Sequence, residues 1–183
     1  MNAQEIVHNL QLLGEELSAM QVQEPVELLL IGGGFMLTQI KNRTFTSDID
    51  VMVLHPDASS ELYRIFKGAT RFVAQDENLD PAWLSTNIGD FLRIAGPLPT
   101  LKLWKKFGPL HLYLPPRDFI LAHKIVAGRP KDMEDIHTLC RLLRVTNREK
   151  AQKTLDKYIT QEIQSYYHVE TTLRRLFPQK AGK

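Results

Sequence analysis

The feature that most constrains this 183-residue chain is the segment LLLIGGGFMLTQIKNRTFTSDIDVMVL, residues 28–54. An apolar run leads into three glycines, and two aspartates one residue apart then begin a second apolar run. VELLLI predicts a short buried strand, FMLTQIKN predicts a short helix ended by Asn42, and DIDVMVL predicts a central strand. This alternation of strand, helix and strand favours an α/β fold.

The flanking segments predict further helices and strands. Apolar side chains at helical spacing predict an amphipathic helix at the start of the chain: Ile6, Leu10, Leu13, Leu17 and Met20. A turn at residues 56–60 precedes a predicted helix around ELYRIFKG, and RFVA predicts a strand. Asp80 followed by Pro81 is typical of a helix start and predicts a helix through AWLSTNIGDFL. TLKLW and LHLYL predict a hairpin joined by the turn KKFGP.

The residue pattern in the last third of the chain predicts helices and no strands. RDFILAHKIVA should end at Gly128, and DMEDIHTLCRLLRV follows as a second helix. Thr146 and Glu149 predict a capping box for EKAQKTLDKYI. EIQSYYHVETTLRRLF extends the helical pattern to Phe177, and the tail PQKAGK is expected to fray. We therefore predict one domain over residues 1–183, with an α/β core at about 24–128 and a helical part at about 129–177.

Composition excludes several classes of protein. The net charge of +2 and the sequence pI of 8.6 are too mildly basic to indicate a nucleic-acid partner by themselves. Cys140 is the single cysteine, so no internal disulfide is expected. The N-terminal segment lacks the basic head of a signal peptide, and no run of 18 apolar residues predicts a membrane span. We expect a cytoplasmic protein with no membrane partner.

The two aspartates indicate a divalent-cation site. Successive side chains of a strand point to opposite faces, so Asp48 and Asp50 should point the same way. Two such close carboxylates repel each other unless a positive charge lies between them, and magnesium prefers carboxylates together with substrate phosphates. The plainer alternative is that this D-x-D pair is turn and cap chemistry at a strand start.

The glycines indicate a phosphate cradle. A backbone without Cβ atoms lets main-chain N–H groups approach an anion closely, and the start of the following helix would add a favourable dipole. The alternative is a tight turn between strand and helix. The order of strand, glycines, helix and acidic strand favours the functional interpretation, in which both motifs bind one metal–nucleotide complex.

The segment IGGGFMLTQIKNRTFTSDIDVMV resembles the nucleotidyltransferase superfamily with the DNA polymerase β-type palm. The pattern of Arg43, Thr46, Asp48, Ile49 and Asp50 is similar to the minimal and AbiEii-type bacterial nucleotidyltransferases, which include toxins of toxin–antitoxin pairs. A second segment, DFILAHKIVAGRPKDMEDIHTL, is similar to the K-x-x-A-x-R-x-x-D-x-x-D region of that group. The resemblance covers residues 26–140 and implies a small mixed sheet flanked by helices.

The resemblance implies a role for each matching residue. Asp48 and Asp50 would be the catalytic carboxylates and would hold magnesium in a two-metal arrangement. The nucleoside triphosphate would be bound by the glycines, the loop before the aspartates and one lysine: Gly32, Gly33, Gly34, Arg43, Thr46, Ser47 and Lys124. A lysine at the rim of an amphipathic helix is the alternative for Lys124. Arg129 would pair with Asp132 or Asp135 or face the substrate, and Asp132 is first expected to be a helix cap.

The two-metal mechanism also calls for a third carboxylate on a neighbouring strand. The predicted strands TLKLW and LHLYL contain no Asp or Glu. His111 stands where a polar group would face the site, although a lone strand histidine more often packs or lies on the surface. Asp90 and Asp118 fit helix ends better. This departure weighs against catalysis and leaves nucleotide and metal binding in place.

The resemblance thus implies a magnesium-dependent nucleotidyltransferase that moves a nucleoside monophosphate to an acceptor hydroxyl. RNA, a protein side chain or a small molecule are the candidate acceptors, and a cognate antitoxin is a candidate partner. The basic and aromatic mixture LKLWKKFG would suit RNA or DNA, or be a solvated turn beside core aromatic residues. The alternatives are a catalytically impaired nucleotide- or partner-binding protein of the same fold and an α/β partner protein whose D-x-D pair is structural.

Overall fold

The computed structural model describes residues 1–178, and over this range the chain has a mixed α/β fold. The strands are β1 (Val26–Leu30), β2 (Ile49–His55), β3 (Leu84–Ser85), β4 (Lys102–Phe107) and β5 (Leu110–Leu114). The helices are α1 (Ala3–Ala19), α2 (Gly32–Phe35), α3 (Glu61–Asp76), α4 (Gly89–Ala95), α5 (Arg117–Ala127), α6 (Met133–Leu143), α7 (Arg148–Tyr158), α8 (Gln161–Tyr166) and α9 (Val169–Leu176). A π-helical turn (Met36–Ile40) continues α2, and a 3₁₀ turn (Pro130–Asp132) precedes α6.

The chain divides into two compact units. The first, called the sheet unit here, contains Met1–Asp90 and Leu101–Pro115. The second, the helical unit, contains Phe91–Thr100 and Pro116–Lys183. The helical unit therefore takes in α5 as well as the part from residue 129 onward. No helix of the described residues is long and apolar enough to cross a membrane.

The sheet unit is built on five strands in the order β3-β2-β1-β5-β4. Strand β1 is antiparallel to β2 and parallel to β5, β2 is parallel to β3, and β4 is antiparallel to β5. The predicted strand DIDVMVL is an interior strand between β3 and β1. Helix α1 confirms the helical spacing: its apolar residues Ile6, Leu10, Leu13 and Leu17 are fully buried, whereas Met20 lies beyond its end and is 41% exposed.

Two predictions in this unit are wrong. RFVA is not a strand, because α3 continues to Asp76 and buries Phe66, Ala69 and Val73 along one helical face. Asp80 does not begin a helix. Its carboxylate accepts the Ala82 N–H at 2.7 Å and closes a turn that leads into β3, and α4 begins only at Gly89. The hairpin is confirmed, although its loop is shorter than the predicted KKFGP.

The helical unit is organised around α5. Eight of its eleven residues are buried, and it packs against α6, α7 and α9. It ends at Gly128 in the left-handed region (φ +57°), as predicted. The predicted capping box is wrong, because Asn147 rather than Thr146 accepts the Lys150 N–H and begins α7.

The predicted continuous C-terminal helix is also wrong. The helical pattern breaks at His168, whose φ of +49° separates α8 from α9. Most of the tail expected to fray, residues 179–183, lies outside the described residues.

Candidate functional site

Gly32 and Asp50 meet at the end of β1. The Ile31 N–H donates to the Asp50 carbonyl oxygen at 3.1 Å, which extends the β1–β2 ladder to the glycine turn. Gly32 has φ +58°, and a Cβ built on it would lie 2.7 Å from Cγ of Asp50. The Asp50 carboxylate therefore occupies the space that any other residue at position 32 would fill.

The next two glycines also make close approaches. A Cβ on Gly33 would lie 2.5 Å from Oγ1 of Thr46 and 3.7 Å from Nη1 of Arg43. A Cβ on Gly34 would lie 3.1 Å from Cδ1 of Leu30 in the core below. The lack of a side chain at Gly33 thus lets Thr46, in the loop before β2, lie directly on the backbone that follows β1. Six of the predicted site residues take part in these contacts: Gly32, Gly33, Gly34, Arg43, Thr46 and Asp50.

The loop before β2 is held by polar contacts. Thr46 is 7% exposed, and its hydroxyl donates to the Asp48 carbonyl oxygen at 3.1 Å. Its backbone N–H donates to the Met1 carbonyl oxygen at 3.0 Å, and its own carbonyl oxygen accepts from the Met1 amino group. The exposed hydroxyl of Ser47 donates to Oδ1 of Asp48 at 2.9 Å. These hydrogen bonds fix the position of Asp48 at the end of the loop.

Asp48 and Asp50 share one side of the chain. Both are partly exposed, whereas Ile49 and Val51 between and after them are fully buried. This alternation agrees with the predicted strand geometry. Arg43 and Asp50 each have an interaction partner within the described residues, so neither is an isolated charge.

The glycines lie inside a helix rather than before it, which corrects the predicted helix over FMLTQIKN. Helix α2 begins at Gly32. Its N-cap residue, Ile31, makes no side-chain capping hydrogen bond. The hydroxyl of Thr38 donates to the Gly34 carbonyl oxygen at 2.8 Å within the π-helical turn, and Lys41 ends that turn with φ +61°. Single π turns inside helices often occur at functional sites.

The strand that pairs with β2 beside Asp50 is β3. In its register Ile49 pairs with Leu84, and Asp50 pairs with Ser85. Strands β4 and β5 contain no Asp or Glu, and β1 separates them from β2. The sequence did not predict this position of Ser85, because the segment after Pro81 predicted a helix. The signal was the apolar pair Trp83 and Leu84, both buried, directly before the serine.

The donor set at this site suits a hard divalent cation. Carboxylate and hydroxyl oxygens are the ligands that magnesium prefers, and magnesium commonly uses one or two carboxylates together with phosphate oxygens. Within residues 1–178, no group of three or more His, Cys, Asp or Glu side chains is arranged to hold a metal. Asp48 and Asp50 supply two carboxylates, which is the number that magnesium uses when phosphate oxygens provide its other ligands.

Lys124 belongs to the helical unit, where it lies in a buried ion cluster. Its Nζ is 2.6 Å from Asp132 and 2.8 Å from Asp135, and Nε of Arg129 is 2.6 Å from Asp132. Burial alone would raise the pKa of Asp132, but hydrogen bonds and charge from Lys124 and Arg129 hold this pKa below its ordinary value. Asp132 occupies the N-cap position of α6 without a side-chain capping bond. The predicted pairing of Arg129 is confirmed, and the phosphate contact of Lys124 stays a prediction.

His111 and Asp118 have local partners, and Asp90 lies at the start of a helix. His111 on β5 lies 3.9 Å from Glu27, which also accepts the Tyr113 hydroxyl at 2.9 Å. Asp90 lies in the first turn of α4, and Asp118 lies in the first turn of α5 and pairs with Lys157 at 2.8 Å. In the hairpin, Nζ of Lys105 lies 5.5 Å from the Trp104 ring centroid.

No protein-family model matches this chain, and comparisons with curated proteins and with solved structures also find no match.

Proposed function

We propose that this chain is a magnesium-dependent nucleotidyltransferase. It moves a nucleoside monophosphate from a nucleoside triphosphate to an acceptor hydroxyl and releases pyrophosphate. The observation that carries the proposal is the packing of the Asp50 carboxylate over the backbone of Gly32. One nucleotide can contact both the glycines and a metal ion held by the aspartates only if the two motifs lie side by side. Gly32 and Asp50 lie side by side.

The roles follow from the chemistry of each group. Backbone N–H groups of Gly32, Gly33 and Gly34 bind the triphosphate, with Arg43 and the hydroxyls of Thr46 and Ser47 at the adjoining loop. Asp48 and Asp50 hold magnesium, which neutralises phosphate charge and aligns the acceptor hydroxyl for in-line attack. Since the work of the protein is placement and charge stabilisation, loss of either carboxylate should lower the rate at least about 100-fold.

The acceptor and the partners belong to the same proposal. RNA (a tRNA end, for example), a protein side chain and a small molecule each carry a hydroxyl that this chemistry can use. If the chain acts as a toxin, a cognate antitoxin would be its protein partner. The resemblance to AbiEii-type proteins supports these partners.

The proposal is tested by transfer of label from each of four α-³²P nucleoside triphosphates, with magnesium, to total RNA and to total protein. Release of pyrophosphate is measured in parallel because it requires no knowledge of the acceptor. We expect transfer by the natural protein and at least a 100-fold loss in Asp48→Asn/Asp50→Asn.

The matched control is Asp76→Asn/Glu77→Gln, which removes two exposed carboxylates from the end of α3 in the same unit. This variant should keep full activity. Equal rates for the natural protein and the Asp48→Asn/Asp50→Asn variant would contradict the proposal, as would a complete lack of transfer and pyrophosphate release by the folded natural protein.

A second candidate function is nucleotide binding without turnover. It is favoured by Ser85, which pairs with Asp50 on the strand where a third carboxylate would stand. Under this alternative, magnesium and a nucleoside triphosphate bind together at Asp48 and Asp50, and no pyrophosphate is released. The same assay separates the two functions when it is paired with a binding measurement.

A further inference from the structure

Strand β4 forms one edge of the five-stranded sheet. The strand order places it outside β5, and within residues 1–178 no hydrogen bond joins its backbone to any other element. Helix α1 closes only the end of this edge, where a Cβ on Gly14 would lie 2.4 Å from the Phe107 carbonyl oxygen. Along residues 102–106, the N–H and C=O groups that point away from β5 can therefore pair with another extended chain.

The open edge is basic. It carries Lys102, Lys105 and Lys106, none of which forms an ion pair within the described residues, and neither β4 nor β5 contains an Asp or Glu. The edge differs in this respect from the sheet unit as a whole, in which acidic residues outnumber basic ones. Lysine on an edge strand commonly prevents pairing with other chains. Because this protection acts through charge, an acidic chain is attracted where a basic one is repelled.

The edge also offers an apolar contact. Leu103 is 50% exposed, and the β4–β5 register pairs it with Tyr113. Residues in register share a face of the sheet, so an added strand would bring a side chain of its own beside Leu103. In strand addition, main-chain hydrogen bonds provide affinity and such side-chain contacts provide specificity.

Two other occupants fit this edge less well. Pairing of β4 with β4 of a second copy would place lysines beside lysines, and like charges on paired strands are destabilising. Nucleic-acid bases bind by stacking on aromatic rings. The two rings of this strand are already in use, because Nζ of Lys105 lies 5.5 Å from the Trp104 centroid and 5.9 Å from the Phe107 centroid. Phe107 also packs against α1 at Gly14.

We propose that residues 102–106 of β4 dock an acidic, extended segment of a partner protein, which adds to the sheet as a sixth strand. The backbone of the segment pairs with the open backbone groups of β4. Its carboxylates pair with the three lysines, and an apolar side chain contacts Leu103. This docking surface does not depend on the proposed nucleotidyltransferase activity.

The probe is the fluorescein-labelled peptide Thr-Glu-Val-Glu-Val-Glu-Thr, and its binding to the full-length protein is measured by fluorescence anisotropy. One control peptide has lysine in place of each glutamate. The other keeps every glutamate but has alternate backbone nitrogens methylated, which removes the hydrogen-bond donors of one edge. We expect each control peptide to bind at least about tenfold more weakly than the probe, because strand addition needs both the charge and the backbone bonds.

The substitution Lys102→Glu/Lys106→Glu should weaken binding of the probe at least about tenfold. The matched control is Lys67→Glu/Arg71→Glu, which makes the same change of charge on α3 of the same unit and should leave the affinity within about twofold. The bound probe should also slow hydrogen exchange of backbone amides in residues 102–106 of the natural protein. Melting curves establish that both variants are folded.

Failure of the folded natural protein to bind the probe overturns the proposal. Equal binding of the methylated peptide, or an equal loss in both variants, also overturns it, because general charge then explains the binding. A dimer of the natural protein that Lys102→Glu/Lys106→Glu dissociates would assign the edge to a second copy. Tighter binding of a poly-uridine RNA than of the probe at the same lysines would assign it to nucleic acid. None of these results changes the outcome of the nucleotide-transfer assay.

Discussion

The two units of the chain have opposite charge. The sheet unit contains 8 basic and 13 acidic residues, a net charge of −5, whereas the helical unit contains 15 basic and 8 acidic residues, a net charge of +7. The small charge of the whole chain results from this cancellation. The helical unit is therefore much more basic than the total of +2 indicates, and nucleic-acid binding depends on such local charge.

The units also use aspartate in opposite ways. In the helical unit Asp132 and Asp135 have side chains 3% and 1% exposed, and Lys124 lies between them as a permanent counter-ion. In the sheet unit Asp48 and Asp50 are partly exposed beside three glycines. A buried pair with its own cation holds helices together, whereas a partly exposed pair remains accessible to a ligand. The following changes test this contrast, beginning with the largest expected effect.

Replacement of Lys124 by alanine should cost about 3–5 kcal/mol of unfolding free energy, because it removes the ammonium group that lies between two buried carboxylates. Urea unfolding followed by circular dichroism measures this loss. Lys131→Ala, an exposed lysine in the same region, is the control and should change stability by less than about 0.5 kcal/mol. A stable Lys124→Ala protein that has lost only its response to nucleotide would instead place Lys124 in the binding site.

Acid should destabilise the helical unit through His123. Burial lowers the pKa of this histidine from 6.5 to about 4, and its Nδ1 bonds to the Phe119 carbonyl oxygen at 2.9 Å. The unfolded chain therefore takes up a proton below pH 6.5 that the folded chain does not take up until about pH 4. Stability should be full above pH 6.5 and fall by about 3 kcal/mol as the pH drops to 4.

The measurement is urea unfolding between pH 7 and pH 4.5 for the natural protein and for His123→Asn, whose amide replaces the Nδ1 donor. The variant should lose most of this pH dependence. His137→Asn, at an exposed position of α6, should retain it. Equal pH profiles for His123→Asn and the natural protein would assign the acid sensitivity to other groups.

Two glycine-to-alanine substitutions should change the free energy of unfolding in opposite directions. Gly32→Ala forces a side chain into the left-handed region and against Asp50, and should cost at least about 1–2 kcal/mol. A Cβ on Gly68 in α3 would meet no atom within 4 Å, so Gly68→Ala should stabilise the chain by about 0.5–1 kcal/mol. Thermal unfolding measures both. Stabilisation by Gly32→Ala would show that the glycine turn is not constrained by Asp50.

The smallest effect concerns the start of α7. Asn147→Ala removes the hydrogen bond to the Lys150 N–H at 2.9 Å and should cost about 1 kcal/mol. Thr146→Ala removes a contact between exposed groups and should cost only a few tenths of a kcal/mol. A larger loss in Thr146→Ala than in Asn147→Ala would restore the capping box predicted from the sequence.

The sequence predicts the elements whose apolar spacing is long and regular. Helix α1, strands β1 and β2, the β4–β5 hairpin and helix α5 follow from spacing and from glycine at a helix end. RFVA and the segment after Pro81 do not follow, because tertiary contacts decide them. Val73 completes the buried face of a helix that began twelve residues earlier. The buried side chain of Trp83 donates a hydrogen bond to the Thr70 carbonyl oxygen of that helix.

The candidate site was predictable where local geometry determines it. Glycines after β1 and aspartates at the start of β2 are brought together by one antiparallel pairing, which sequence order already suggests. The position of Ser85 beside Asp50 was not predictable from the sequence. It depends on a two-residue strand, β3, which pairs with β2 although helix α3 separates the two strands along the chain. Likewise, the buried ion pairs of Lys124 depend on how α5 and α6 pack.

The most direct test of the central claim is the melting temperature of the purified protein with each of the four nucleoside triphosphates, with and without magnesium. A nucleotide at 100 times its dissociation constant should add about 2.7 kcal/mol of stability, a shift of several degrees. We predict a rise that requires magnesium and disappears in Asp48→Asn/Asp50→Asn. No rise with any nucleotide in the folded natural protein, or an equal rise in the variant, would contradict the account.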